Sequence, residues 1–179
     1  MRIVGGSLSG RVLRAPAGAA TRPTSEKGRE AVFNILGRTI DGAAVLDLFA
    51  GSGAVGIEAL SRGAAHATFV DSGKRAIDVL TANLAELDLA GRATVVHGDA
   101  LRVRDGGPWR FVYVDPPYAS DLAVRAVAAL PADKLTADAT IVIEHDRRHV
   151  PPDALGSLLR TDQRRYGDTS VSFYTRGPT

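Results

Sequence analysis

The sequence has no cysteine, which excludes disulfides and thiolate metal ligands and fits a reducing compartment. It also has no apolar run near the roughly 18 residues that a membrane-crossing helix needs, and no signal-like apolar stretch at its start, so a cytoplasmic protein is expected. The four histidines, His66, His97, His145 and His149, lack metal-ligand spacing, and no metal site is expected. No internal repeat or low-complexity segment interrupts the chain, which argues against a solenoid or a disordered tail.

What is present is ordinary in amount and uneven in placement. Hydrophobic residues make up 45% and charged residues 23% of 179 residues, enough for one globular unit with a sizeable core. Arginine supplies 19 of the 22 basic side chains, and its planar fork suits phosphate contacts. Residues 1–38 carry seven basic and two acidic side chains, residues 39–145 nine and fourteen, and residues 146–179 six and four. A basic arm preceding an acidic middle is what a phosphate-rich partner favours, although a solvated surface segment has the same composition.

The arm reads as a hairpin, Arg2 to Gly5 against Arg11 to Arg14 around the turn-rich Gly6-Ser7-Leu8-Ser9-Gly10. A helix follows, capped by Thr24 or Ser25, with Val32, Ile35 and Leu36 at helical spacing. From Ala44 apolar strands alternate with amphipathic helices. Strands are expected at Ala44 to Leu48, Ala67 to Val70, Ala93 to Val96, Phe111 to Val114 and Ala139 to Ile143. Helices are expected at Ala54 to Arg62, Lys74 to Leu89 and Asp121 to Leu130. Such alternation implies right-handed crossovers and a parallel α/β sheet covered on both faces. Leu158 to Thr161 and Ser170 to Tyr174 read as a closing antiparallel pair.

Directly after the first sheet strand stands Asp47-Leu48-Phe49-Ala50-Gly51-Ser52-Gly53-Ala54-Val55-Gly56, which contains G-x-G-x-x-G, with Asp71 at the end of the next strand. The glycines let the backbone approach a ligand closely, and a carboxylate can take both hydroxyls of a ribose. A nicotinamide dinucleotide and S-adenosylmethionine both satisfy that pattern. Asp47 favours S-adenosylmethionine, because its charge suits an ammonium group and would lie badly beside a pyrophosphate. Asp99 and Ala100, after the third strand, are placed to meet an adenine. A strand-end capping role is open to each acid alone; three on one sheet edge point to a ligand.

The fourth strand leads into Asp115-Pro116-Pro117-Tyr118. An exocyclic base amine is a poor nucleophile and must be oriented by hydrogen-bond acceptors as positive charge develops on it. Asp115 and a carbonyl of the Pro116-Pro117 turn can be those acceptors, and Tyr118 can stack on the base. The base must then be unpaired or flipped out of its stack.

These residues resemble a known family. Met1-Arg2-Ile3-Val4-Gly5-Gly6, Gly10-Arg11, Thr21-Arg22-Pro23-Thr24, Arg29-Glu30-Ala31-Val32-Phe33-Asn34-Ile35-Leu36, the loop from Asp47 to Gly53, Glu58-Ala59-Leu60-Ser61-Arg62-Gly63 and Asp115 to Tyr118 are similar to the RsmD family of bacterial 16S rRNA (guanine-N2) methyltransferases. The resemblance implies a Rossmann-like class I S-adenosylmethionine-dependent methyltransferase sheet over residues 39–179, with a hairpin and helix extension over residues 1–38. It implies S-adenosyl-L-methionine as cofactor, held by Asp47, Phe49, Ala50, Gly51, Ser52, Gly53, Asp71, Ser72, Asp99, Ala100 and Thr24. It implies catalysis at Asp115, Pro116, Pro117 and Tyr118. The partner implied is 16S rRNA in the small ribosomal subunit or its assembly intermediate, for which Arg2, Arg11, Arg14 and Arg22 are the candidate contacts, and the enzyme is expected to be a monomer. A DNA adenine-N6 methyltransferase, an RNA-binding assembly factor with a degenerate cofactor pocket, and a dehydrogenase are the competing readings.

Overall fold

Five apolar runs become the parallel part of one sheet in the computed structural model, which describes residues 1–15, 23–117 and 121–177, the side chains of 23–25 excepted. They are β1 (Ala44–Leu48), β2 (His66–Asp71), β3 (Ala93–His97), β4 (Trp109–Val114) and β5 (Leu135–Asp146). With β6 (Ala154–Leu155), β7 (Leu158–Tyr166) and β8 (Thr169–Arg176) the sheet has eight strands in the order β3-β2-β1-β4-β5-β8-β7-β6. β8 runs antiparallel to β5 and β7 antiparallel to β8, so the expected closing pair is present. The order reverses between β1 and β4, and the carboxyl ends of those two strands therefore flank the crevice where open α/β sheets bind ligands.

Strand alternation sends side chains to two faces. Val45, Phe69, Phe111 and Val142 meet α1 (Pro23–Leu36), α2 (Ala54–Ser61) and α3 (Lys74–Glu86) on one side. Leu46, Val70, Val112 and Ile141 meet α4 (Leu122–Ala129) on the other, with Trp109 in the same cluster. The architecture is α/β and Rossmann-like, as the sequence pattern implies.

Several boundaries differ from the expectation: β7 and β8 run on to Tyr166 and Arg176, past Thr161 and Tyr174, and α1, α3 and β5 differ as well. α1 starts at Pro23, so Thr24 and Ser25 lie inside its first turn rather than at its cap, in keeping with proline's preference for the first helical position. α3 stops at Glu86, short of Leu89, because Asp88 takes φ 57° and the Asp88 and Leu89 N–H groups turn back to the Ala85 and Leu84 carbonyls in a Schellman motif. β5 begins at Leu135, four residues before the apolar run, paired to β4 through a bulge.

The hairpin of the arm is held by one antiparallel bridge, Arg2 to Val12, with backbone bonds from Ile3 to Arg11, Gly10 to Ile3 and Leu13 to Met1. Ile3 and Leu13 are buried in the same cluster as α1, α2 and α3. Its seat is α2. The fully buried Glu58 accepts from the Val4 and Gly5 N–H groups at 2.9 and 2.8 Å and from Arg62 Nε at 2.7 Å, while the buried Arg29 Nε lies 3.4 Å away. The Arg29 guanidinium in turn donates to the Arg2 carbonyl, and Arg62 sits over the Phe33 ring. At Gly6, with φ 79°, a Cβ would fall 1.9 Å from the Ser61 carbonyl oxygen, so only glycine lets the turn lie this close to α2. Three motifs distant in sequence, around Gly5, Arg29 and Glu58, thus form one buried network.

Candidate active site

Asp47 stands near the carboxyl end of β1 and its side chain points to the α2 face, where the Gly56 N–H donates to Oδ2 at 2.9 Å. Burial, opposed by that hydrogen bond and reinforced by the charge of Asp71, raises the Asp47 pKa to about 7. Among the described residues no lysine or arginine pairs with it. A buried carboxylate near the end of the strand where the sheet order reverses is suited to a cationic ligand.

The loop from Phe49 to Gly53 connects β1 to α2. Phe49 takes φ 62°, a conformation rare for a non-glycine residue and found disproportionately at functional sites. The Ala50 N–H donates to the Val70 carbonyl, and the Gly53 N–H to the Ala50 carbonyl. A Cβ on Gly53 would meet Leu80 at 2.2 Å, and one on Gly56 would meet the Phe69 ring at the same distance, so these two glycines serve close packing. A Cβ on Gly51 would meet nothing within 4 Å. Space for a ligand is therefore left at Gly51. Ser52 is buried, and its carbonyl accepts from the Asn83 amide of α3 at 2.9 Å. The same Asn83 side chain accepts from the Arg14 N–H at 2.9 Å and donates to the Arg14 carbonyl at 3.1 Å.

Asp71 ends β2 and receives the Gly51 N–H on one oxygen at 2.8 Å and the Gly73 N–H on the other at 2.7 Å. An ionised carboxylate has about four acceptor sites, so capacity for two hydroxyls remains. The neighbouring Ser72 carbonyl lies 3.1 Å from His97 Nε2. After β3, Asp99 caps a short 3-10 turn over Ala100–Arg102, accepting from the Leu101 N–H at 2.9 Å, and Ala100 is buried beneath it. After β4, Asp115 is exposed, with its N–H donating to the Leu48 carbonyl at 3.4 Å, followed by a half-buried Pro116 and an exposed Pro117. The sheet brings Asp47, Asp71, Asp99 and Asp115 to the carboxyl ends of four adjacent strands, in the spatial order Asp99, Asp71, Asp47, Asp115.

Tyr118 and Arg22 lie outside the described residues, and Thr24 is in the first turn of α1 with its side chain outside them. Arg2, Arg11 and Arg14 are exposed on the hairpin. Arg14 pairs with Glu86 at 3.0 Å, and Arg11 donates to the Glu86 carbonyl. Sequence reasoning missed Glu58, Asn83, Tyr113 and Glu144. The Tyr113 hydroxyl donates to Glu144 Oε2 at 2.5 Å, from a buried ring that neighbours Asp47 across the β1–β4 pair. Tyr113 next to the end of β4 and Glu144 directly after the apolar run Ala139 to Ile143 were the signal available for that pair.

The family model described as conserved hypothetical protein 95 matches residues 1–175. Ribosomal RNA small subunit methyltransferase D of Escherichia coli is 40% identical over 179 residues, covering 98% of this chain and 90% of that protein. The chain belongs to the RsmD family. YlbH of Bacillus subtilis is 42% identical over 184 residues, covering 98% of this chain and 99% of its own length. The solved structure of Escherichia coli yhhF superposes on this RsmD-family protein with a TM-score of 0.88 at 36% identity, over 100% of this chain and 99% of that one. The RsmD-family chain is a methyltransferase with the class I methyltransferase fold. Among the described residues no helix is long and apolar enough to cross a membrane, and no group of three acidic or histidine side chains could hold a metal.

Proposed function

We propose that the enzyme transfers a methyl group from S-adenosyl-L-methionine to the exocyclic N2 amine of a guanine in 16S rRNA of the small ribosomal subunit, acting in the cytoplasm. The observation that carries this reading is the row of four carboxylates on one sheet edge, three around the glycine loop and the fourth in Asp115-Pro116-Pro117. When bound, S-adenosylmethionine supplies a methyl group made electrophilic by the sulfonium. The residues present suit it: a buried Asp47 without a cation partner among the described residues for the ammonium, Asp71 with free acceptor capacity for the ribose, open space at Gly51, and Asp99 for the adenine.

Asp115 and the Pro116 carbonyl accept the two N–H bonds of the target amine and turn its lone pair toward the methyl group. Their value lies in being fixed before the reaction, since proline restricts the backbone of the turn and the Asp115 N–H is tied to β1. Residues 1–38 form the docking extension, whose Arg2, Arg11, Arg14 and Arg22 serve as contacts for rRNA phosphates and whose Thr24 serves the cofactor site. Residues 39–179 carry the chemistry. The proposal is tested by incubating the protein and S-adenosylmethionine with small subunits from a strain lacking the gene, then identifying the modified nucleoside by mass spectrometry. N2-methylguanosine is the expected product, and methyl transfer to another atom or to no nucleoside contradicts the proposal.

A further inference from the structure

Three carboxylates surround one phenol at the catalytic end of the sheet. Tyr113 is buried in β4; Asp47 stands opposite it on β1, Asp115 follows it by two residues, and Glu144 on β5 takes its hydrogen bond at 2.5 Å. The register pairs Tyr113 with Val142 and Val114 with Ile143, so Glu144 comes next along β5, level with Asp115. Hydrogen bonding to Tyr113 places the Glu144 side chain on the face that Tyr113 and Asp47 share. Burial, then the charges of Glu144 and Asp115, hold the Tyr113 pKa well above its ordinary value, so the phenol keeps its proton and remains a donor. One Glu144 oxygen is thereby fixed. Glu144 is partly exposed near the carboxyl end of β5.

We infer that Glu144, positioned by Tyr113, is a specificity-determining residue that accepts the N1–H of the target purine beside the reacting amine. The inference rests on the guanine-N2 reading and deepens it. Guanine presents two adjacent donors on its Watson–Crick edge, N1–H and N2–H. Two carboxylates side by side, Asp115 for the amine and Glu144 for N1–H, complement them. Adenine and 2-aminopurine carry a lone pair at N1, which would face the Glu144 carboxylate acceptor to acceptor. A site built around a substrate hydrogen bond rejects an analogue lacking the donor, because its own charged group is left unpaired. Tyr113 is the positioning residue, since it acts through Glu144.

The experiment compares methyl transfer to small subunits whose rRNA carries either guanine or a single 2-aminopurine at the methylated position. 2-Aminopurine keeps the reacting amine and lacks only N1–H and O6. For the natural enzyme kcat/KM is expected to favour guanine by roughly 10- to 100-fold, the range for one hydrogen bond to a charged group. Glu144→Gln offers an amide that can donate as well as accept, so its guanine preference should collapse toward unity. A folding defect lowers both rates together and leaves their ratio unchanged. Tyr113→Phe, which removes one restraint on Glu144, should lower the ratio part of the way and decides the matter if the glutamine variant does not fold. A natural enzyme with no preference, or an unchanged preference in Glu144→Gln or in Tyr113→Phe, overturns the inference. Either result leaves the guanine-N2 reading intact as long as unmodified subunits yield N2-methylguanosine; absence of that product fails the functional reading itself.

Discussion

The Asn83 amide donates to the Ser52 carbonyl at 2.9 Å, and the same side chain holds both backbone groups of Arg14. One buried residue on α3 therefore ties the loop between β1 and α2, the proposed cofactor loop, to the end of the basic hairpin. Asn83→Ala leaves the Ser52 and Arg14 polar groups without their partner, at a cost of about 1 to 3 kcal/mol for each one that stays buried. It is expected to lower thermal stability and to weaken S-adenosylmethionine binding measured by calorimetry. Unchanged stability and affinity would show that water replaces the amide without loss.

Asp47 carries a proton in the folded ligand-free enzyme up to about pH 7, against an ordinary value of 3.8. A raised folded-state pKa contributes stability that is complete below the ordinary value and is lost as pH rises through about 7. Thermal melting of the ligand-free protein should show that loss between about pH 4 and pH 7, and Asp47→Asn should remove it. Binding of a cationic cofactor favours the ionised form, so affinity should rise with pH up to about 7 in the natural protein and become independent of this group in Asp47→Asn. An Asp47→Asn protein with the natural pH profile would place the titration elsewhere.

Glu58 balances Arg29 and Arg62 in the buried network under the hairpin. Removing one member of a buried pair leaves an uncompensated charge, which typically costs about 3 to 5 kcal/mol. Glu58→Ala should lose stability on that scale in urea denaturation and loosen the hairpin from α2. A decrease below about 1 kcal/mol would mean that Arg29 reaches water when its partner is gone.

Much of this architecture was legible in the sequence. Residues 44–48 read as a strand because an apolar run is bounded by Gly42 and by the turn at Phe49, and the structure keeps those ends. The four strand-end aspartates followed from strand alternation alone. Glu58, Asn83 and the Tyr113–Glu144 pair were not legible, since each matters through a partner 31 to 69 residues away that only the folded chain brings near. The end of α3 was missed for a local reason: Asp88 in the left-handed region breaks the helix although Leu87 and Leu89 continue the apolar pattern.

The burial of Ile3 and Leu13 shapes the test of the basic arm. Deleting residues 1–14 would remove both from the core and disturb every function together, so point substitutions are the cleaner probe. Arg2→Ala and Arg11→Ala change exposed side chains. Each should leave cofactor binding intact and flatten the dependence of log RNA affinity on log salt by roughly 0.7 to 0.9 for every phosphate that is no longer neutralised. An unchanged slope in the double variant would exclude these two arginines from RNA docking.

In the proposed reaction methyl transfer turns on Asp115, which holds the guanine amine toward the methyl group. The deciding measurement is the rate of N2-methylguanosine formation on small subunits by Asp115→Ala at saturating S-adenosylmethionine. Removing one preorganised acceptor should lower that rate by roughly 10² to 10³ while the cofactor dissociation constant stays near its natural value. Turnover close to that of the natural enzyme would mean that Asp115 does not hold the amine.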